Sequence, residues 1–354
     1  MYDIITFGSA AQDIHLKSKE FKTLIDPSAS SGQAEKNFAI GRGICFALGS
    51  KVEIEDIIFT TGGGGTNTAT TFVKQGFITA FCGAIGADAS GLEIVRELKH
   101  LGIDTKFVVK KKEKHTNNSV IVSNTGEDRT ILVYRGASDI LNDNDILWSK
   151  IRKTKWFYLA PLTGSLCDSF EDIVNFAHEN GIKIAVNPSK KQLSLPEEKL
   201  NNIFKKVDIL FLNQEEASFL TKISFDDEHE IFKKIDEIFP GIAVMTKGGE
   251  GVVVSDGKYL YSALPDLERK IVDTTGAGDS FASGFLSDYM RYEDDPSIEL
   301  SIKIEKSIQL GLANSAANLS EIGAKNGLLE KDADFKRVNV TKQLCSENNL
   351  CITK

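Results

Sequence analysis

"IVDTTGAGDSFASGF", Ile271 to Phe285, runs from an apolar pair through threonines, glycines and an aspartate into a second apolar stretch. Read locally, Lys270 to Val272 ends a strand, Asp273 to Thr275 turns, and Gly276 opens a helix that continues to about Met290. Asp279 then stands in the first turn of that helix. A helix start carries unpaired backbone N–H groups and the positive end of the macrodipole, and Gly276 and Gly278 put no side chain in the path of an approaching anion. The stretch reads as a phosphate cradle with a carboxylate beside it. The same residues also suit a plainer role, in which Asp279 complements the helix dipole and the glycines make a tight turn. The rest of the chain decides between the two.

Around this stretch, short apolar runs alternate with helical patterns. Residues 3–8, 78–83, 156–160, 182–187, 209–212 and 242–246 read as buried strands. Residues 66–75, 91–101, 169–180, 215–220 and 228–238 carry helical spacing, the second and third of these ending at Gly102 and Gly181. Such alternation predicts an α/β fold with a parallel sheet covered by helices on both faces and joined by right-handed crossovers. Ligands of such sheets gather at the carboxyl ends of strands, where most of the glycine motifs here fall.

Two segments leave this rhythm. Residues 14–60 pass through the polar "DPSASSGQAEKN" and return as "KVEIEDIIF", while residues 104–136 read as strand, turn, strand around "NTGED". They predict a small antiparallel sheet projecting as a lid, or else extra edge strands on the main sheet. "KKKEK", Lys110 to Lys114, reads as a solvated strand edge. With no domain-scale repeat or Pro-rich linker in view, residues 1–354 are expected to form a single domain bearing this lid.

The first excursion returns into "TTGGGGTNTATTFVKQGF", Thr60 to Phe77. Its glycines permit a tight turn into a helix, and Asn67 offers two donors and an acceptor, which suits a polyol. Asp13, just beyond the first strand, could accept two hydroxyl hydrogen bonds. A bend with Asn67 near a helix cap and Asp13 as a turn residue fits as well. Three more strand ends carry groups suited to a nucleotide: Asn187 in "AVNPS", Asn213 and Glu216 in "NQEE", and Thr246, Gly248 and Gly251 in "TKGGEGV". Oxygen-bearing side chains near a phosphate can hold the waters of Mg²⁺, which keeps much of its hydration shell. Singly, Glu216 is an ordinary acid at a helix start and Gly251 a hairpin turn.

Composition bounds the partners. The 354 residues are 41% hydrophobic and 26% charged with a net charge of -8, an ordinary globular balance whose sign argues against nucleic acid or an anionic membrane surface. Small molecules are the expected ligands. No run approaches the ~20 apolar residues of a membrane span, and "MYDIITFGSA" shows no signal peptide. The five cysteines, Cys45, Cys82, Cys167, Cys345 and Cys351, lack metal-ligand spacing, so a reducing, cytoplasmic setting is expected.

Taken in order and spacing, these motifs identify a resemblance: from Asp3 to about Gly323 the chain is similar to the ribokinase-like, or phosphofructokinase B, family of carbohydrate kinases. "DTTGAGDSFASGF" matches the family's C-terminal signature and "GGGGTNTA" its N-terminal glycine signature. "NQEE" matches its Asn-x-x-Glu motif and "TKGGEGV" its threonine–glycine phosphate loop. The resemblance implies ATP-dependent phosphorylation of a sugar or sugar-like alcohol, with Asp279 as base and Gly276, Ala277 and Gly278 forming an anion hole. It further implies acceptor contacts from Asp13, Gly63, Gly64 and Asn67, and Mg²⁺ organised by Glu216 and Asn213. It places ATP against Asn187, Asn213, Thr246, Gly248, Gly251 and the helix containing Asn314. Some members bind K⁺ through the loop equivalent to Asp273 and Thr275.

The departures concern the acceptor. Ribokinase members carry lysine where this chain has Gly64, and an acid after the central strand where it has "LAPLTGSL", Leu159 to Leu166, so ribose is not favoured. Nucleosides, fructose-type sugars and keto-deoxy sugar acids stay open. A Rossmann dehydrogenase would need GxGxxG where "FGSAAQD" stands, and no P-loop string GxxxxGK[ST] occurs. A catalytically silent sugar-binding protein could keep the fold, but Asp279 speaks against it. A homodimer formed through the lid would cover exposed strand edges.

Overall fold

Apolar runs buried on both sides build the frame. The computed structural model describes residues 1–25, 42–123, 129–266, 268 and 270–344. Its strands, in chain order, are β1 (Tyr2–Phe7), β2 (Ala11–Lys17), β3 (Lys22–Ile25), β4 (Arg42–Cys45), β5 (Asp56–Gly62), β6 (Thr79–Gly86), β7 (Asp104–Lys111) and β8 (Asn117–Ser123). They continue as β9 (Arg129–Tyr134), β10 (Thr154–Leu159), β11 (Lys183–Val186), β12 (Ile209–Asn213), β13 (Ile242–Thr246), β14 (Val252–Ser255), β15 (Tyr259–Ala263) and β16 (Val340–Leu344).

The main sheet has the order β16-β15-β14-β13-β12-β11-β10-β1-β6-β7. It is parallel from β13 to β7, and antiparallel from β13 to β16. Successive strand residues fall into different cores, as the period of two demands. Ile5, Phe157, Leu159, Leu210 and Leu212 pack under the Phe170–Glu179 and Glu228–Ile238 helices. Ile4, Trp156, Tyr158 and Phe211 pack on the other face, under the helices Gly64–Lys74, Ala277–Tyr292 and Leu300–Leu319. This is the expected mostly parallel sheet with helices on both faces.

The lid is a second sheet of order β5-β2-β8-β9. It differs from expectation in two ways. Asp104–Lys111, read as a lid strand, is instead the β7 edge of the main sheet, paired with β6, where Phe107 and Val109 pack into one core and Val108 into the other. The lid is also mixed rather than antiparallel, since β2 and β8 run parallel while β2–β5 and β8–β9 are antiparallel. β3 and β4 pair antiparallel as a separate two-stranded sheet. The motifs "DPSASSGQAEKN" and "NTGED", with Cys345 and Cys351, lie outside the described residues. Lys110–Lys114 is partly engaged rather than wholly solvated, because Lys111 pairs with Asp145 at 2.7 Å and Lys114 with Asp139 at 2.6 Å.

The last difference lies in the opening stretch. Lys270–Val272 is not a strand. It docks against the end of the Leu300–Leu319 helix, where the Leu319 carbonyl accepts the Val272 N–H at 2.8 Å and so gains a partner that the helix end cannot provide. Among the described residues no helix is long and apolar enough to cross a membrane.

Candidate active site

Two glycine turns meet where the lid joins the sheet. Gly63 begins the Gly64–Lys74 helix with φ 99°, a conformation that side chains disfavour. A Cβ on Gly62 would strike Asp13 Oδ2, and one on Gly64 would lie 3.4 Å from Asp279 Oδ1. The second turn ends at Gly276, with φ 83°, where a Cβ would approach Ala324 Cβ to 2.5 Å. Ala277 starts the helix, and Asp279 is third in it. The first-turn amides of Ala277 and Gly278 therefore have no partner further back in the helix, although the Ala277 N–H makes a long 3.4 Å contact with the Thr274 carbonyl. A Cβ on Gly278 would meet nothing within 4 Å: the space beside it is open cleft.

Asn67 links the two turns. Its Nδ2 donates to Asp279 Oδ2 at 2.8 Å, across 212 residues of chain. Its buried Oδ1 has no partner among the described residues, so it remains available to a hydroxyl donor. Burial raises the pKa of Asp279, and the Asn67 bond lowers it by less. Asp13, 4% exposed on β2, is likewise raised by burial, against the lowering effects of Ser119 on β8 and of the His15 and Lys325 charges.

Beside Asp279 opens a cleft lined by Thr246, Gly248 and Gly251 after β13, by Thr274, Ala277 and Gly278 at the helix start, and by Leu312, Ser315 and Ala316 of the Leu300–Leu319 helix. The sequence-selected phosphate-loop residues and helix start are thus brought together. Asn314 is not. It is fully buried, donates to the Ser280 carbonyl at 2.7 Å and the Thr71 hydroxyl at 3.3 Å, and accepts from the Leu329 N–H at 2.9 Å. Its helix borders the cleft through Leu312, Ser315 and Ala316, which share one face, while Asn314 lies on another.

Asn213 and Glu216 follow β12 and cap the helix Gln214–Thr221. Asn213 Oδ1 accepts the Glu216 N–H at 2.8 Å, and Glu216 Oε2 accepts the Asn213 N–H at 2.9 Å. The plainer reading of Glu216 as a helix-start acid is therefore true of its geometry, and that bond uses one carboxylate oxygen. Burial raises its pKa, against that bond and the Lys190 charge. Asn187, at the end of β11, donates to the Phe211 carbonyl at 3.1 Å. Asp273 and Thr275 bond to each other: Asp273 Oδ1 accepts the Thr275 N–H at 2.9 Å and its hydroxyl at 2.7 Å.

Sequence reasoning missed three residues here. Tyr158 on β10 is fully buried, its hydroxyl has no partner among the described residues, and the charges of Asp279 and Glu216 reinforce the upward push of burial on its pKa. Arg129 on β9 reaches the Thr274 hydroxyl. Lys325 is buried with its amine 3.0 Å from Glu97. An aromatic in an apolar strand, and single basic residues in polar segments, carry no local signal of such placement.

The model of the pfkB family carbohydrate kinases matches residues 35–332 of this chain. The chain belongs to that family. It is an ATP-dependent carbohydrate kinase with the ribokinase-like fold. A sugar kinase of Archaeoglobus fulgidus described as uncharacterised is 27% identical over 258 residues, 72% of this chain and 96% of that one. A nucleoside kinase of Methanothermobacter thermautotrophicus is 28% identical over 238 residues, 66% of this chain and 72% of that one. The solved ribokinase from Giardia lamblia aligns with a TM-score of 0.75 at 18% identity, covering 94% of this chain and 98% of its own, a likeness of fold.

Proposed function

We propose that this kinase transfers the γ-phosphoryl group of ATP to a hydroxyl of a sugar or sugar-like small molecule, with Asp279 as general base. One observation carries the reading: a carboxylate held by Asn67 at 2.8 Å stands beside Gly64, whose Cβ position lies 3.4 Å from its Oδ1, directly after a helix start whose Gly278 is unobstructed. An alcohol is a poor nucleophile, and Asp279 Oδ1 takes its proton as the bond to phosphorus forms. Burial keeps that carboxylate a stronger base than an exposed one. The N–H groups of Gly276, Ala277 and Gly278 point where phosphoryl charge develops.

The acceptor is held by Asp13, the Gly63–Gly64 backbone and Asn67 Oδ1. The nucleotide lies along Thr246, Gly248 and Gly251, with Asn187 and Asn213 at the neighbouring strand ends. Leu312 and Ser315, rather than the buried Asn314 of the same helix, wall its base. Glu216 and Asn213 fit Mg²⁺ through water, since the half-buried Glu216 carboxylate spends one oxygen on its helix cap; bound there, the ion would supply charge neutralisation on the phosphates. The lid excludes water from the transfer.

A nucleoside acceptor is the second reading. Ala160 and Pro161, rather than an acid, flank Gly64, at 3.1 and 3.5 Å from where its Cβ would stand, a wall that suits a flat apolar moiety better than another hydroxyl. We also propose a cytoplasmic enzyme, in keeping with free Cys45, Cys82 and Cys167, and a homodimer formed through the lid, in keeping with exposed Ile57, Phe59, Leu132 and Tyr134. The test is a coupled ADP-release screen over pentoses, hexoses, sugar phosphates, sugar acids and nucleosides with Mg²⁺ present. ATP binding without ADP release from any of them would refute the kinase reading in favour of a silent binder.

A further inference from the structure

The loop leading into the Ala277–Tyr292 helix is tied from three sides. Asp273 Oδ1 takes both hydrogens offered by Thr275, and Oδ2 accepts the Gly323 N–H at 3.0 Å. Burial pushes the Asp273 pKa up, but these bonds outweigh it and the carboxyl sits below its ordinary value. The third tie comes from the lid. Arg129, the first residue of β9, donates through Nη1 to the Thr274 hydroxyl, and the same nitrogen stands 3.9 Å from Asp273 Oδ1. Strand pairing puts it on the acceptor side of the lid: Asp13 pairs with Ser119, Ser123 lies four residues further on the same face, and Ser123 pairs with Arg129. The Arg129 and Asp273 side chains are 25% and 8% exposed, so solvent screens this charge pair weakly.

The family resemblance carries an expectation of K⁺ at Asp273 and Thr275. The charge already present does not fit it: the Arg129 guanidinium stands 3.9 Å from Asp273 Oδ1, where it would repel a second cation. We propose that Arg129 supplies the positive charge at this loop itself, so that the chain works without a monovalent metal ion. Arg129 is then a positioning residue. Closing the lid sets its guanidinium against Asp273 and Thr274, and that fixes the turn whose next residues, Gly276 to Gly278, present their N–H groups. The proposal rests on the kinase reading for its consequence, though not for its chemistry.

Two measurements test it on the full chain. The first needs no turnover: thermal unfolding of wild type and Arg129→Ala in potassium chloride and in tetramethylammonium chloride at equal ionic strength. The wild-type midpoint should be the same in both salts, whereas Arg129→Ala should gain a rise specific to potassium, because Asp273 is then left without its charge partner. The second is the rate with the best acceptor. Wild type should be indifferent to the salt. Arg129→Ala should lose about 10- to 100-fold in tetramethylammonium, the size of one charge-assisted hydrogen bond, and should recover in potassium or with added guanidinium. Arg129→Lys, which keeps the charge but not the fork, should fall between. A potassium-specific rise in the wild-type midpoint or rate overturns the proposal. So does an Arg129→Ala protein that keeps its full rate, or one that neither cation restores or stabilises. If wild type phosphorylates no acceptor in any salt, the kinase reading fails instead, and the unfolding comparison still judges Arg129.

Discussion

Replacing Asp279 by asparagine separates a base from a binder at one atom. The amide keeps the size of the carboxylate and an oxygen that can still accept from Asn67 Nδ2, now 2.8 Å away, but it can no longer take a proton. Loss of a general base lowers a rate by about 10²–10⁴, which is roughly 2.7–5.4 kcal/mol of transition-state stabilisation at ~1.36 kcal/mol per tenfold. The loss should fall on kcat, with ATP affinity little changed, since the cleft that holds the nucleotide is lined by other residues. Two further signatures follow from burial, which raises the Asp279 pKa. In wild type, kcat/KM should fall on the acid side as Asp279 protonates, at a pH above the ordinary carboxylate range, and the variant should lack that limb. A carboxyl whose folded pKa lies above its unfolded value stabilises fully below the unfolded pKa, and this is lost as pH rises through the folded pKa. At neutral pH the ionised Asp279 therefore costs the folded state, and Asp279→Asn should unfold at a higher temperature than wild type, the gap closing as the pH falls into the carboxylate range. Steady-state ADP release with the best acceptor and thermal unfolding across pH read both effects. An asparagine variant within about tenfold of wild type, below the ~10² minimum for a general base, would refute the mechanism.

Gly278→Val should leave folding intact, since a Cβ there meets nothing within 4 Å, yet its side chain should block the phosphate from the anion-hole N–H groups and cut turnover by about 10²–10³, as losing one such donor does; near-normal kcat would put the phosphate elsewhere. Gly276→Ala differs in kind, because φ 83° and a 2.5 Å approach to Ala324 Cβ make the strain structural, and denaturant unfolding should show a loss of about 1–3 kcal/mol. Asp13→Asn keeps an acceptor oxygen while weakening hydroxyl contacts, so acceptor titrations should show a raised KM with kcat nearly unchanged. Acceptor binding should slow amide exchange in β2, β5, β8 and β9; protection that does not change with a confirmed acceptor would count against a closing lid.

Legibility in the sequence followed burial. Strands β1, β6 and β10 to β13 pack on both faces, so they read as continuous apolar runs whatever their neighbours, and their limits are recovered to within a few residues. Lys270–Val272 reads just as apolar, yet it docks on a helix end instead of pairing in a sheet, a choice that periodicity does not encode. Asp104–Lys111 carries apolar residues for both cores, yet which sheet it joins depends on its pairing with β6, a partner that no local pattern names.

The amino-acid order alone determined the alternation of strand and helix, the two glycine turns, and the acid three positions into the Ala277–Tyr292 helix, because each is written in residues adjacent along the chain. Only the tertiary structure decided what those turns meet. Asn67 finds Asp279 across 212 residues, Arg129 crosses from the lid to Thr274, the Tyr158 hydroxyl is buried in the field of Asp279 and Glu216, and Asn314 turns into the core while its helix walls the cleft. These are contacts between elements whose relative placement follows from how the two cores pack, and no local pattern specifies which side chains packing will bring together.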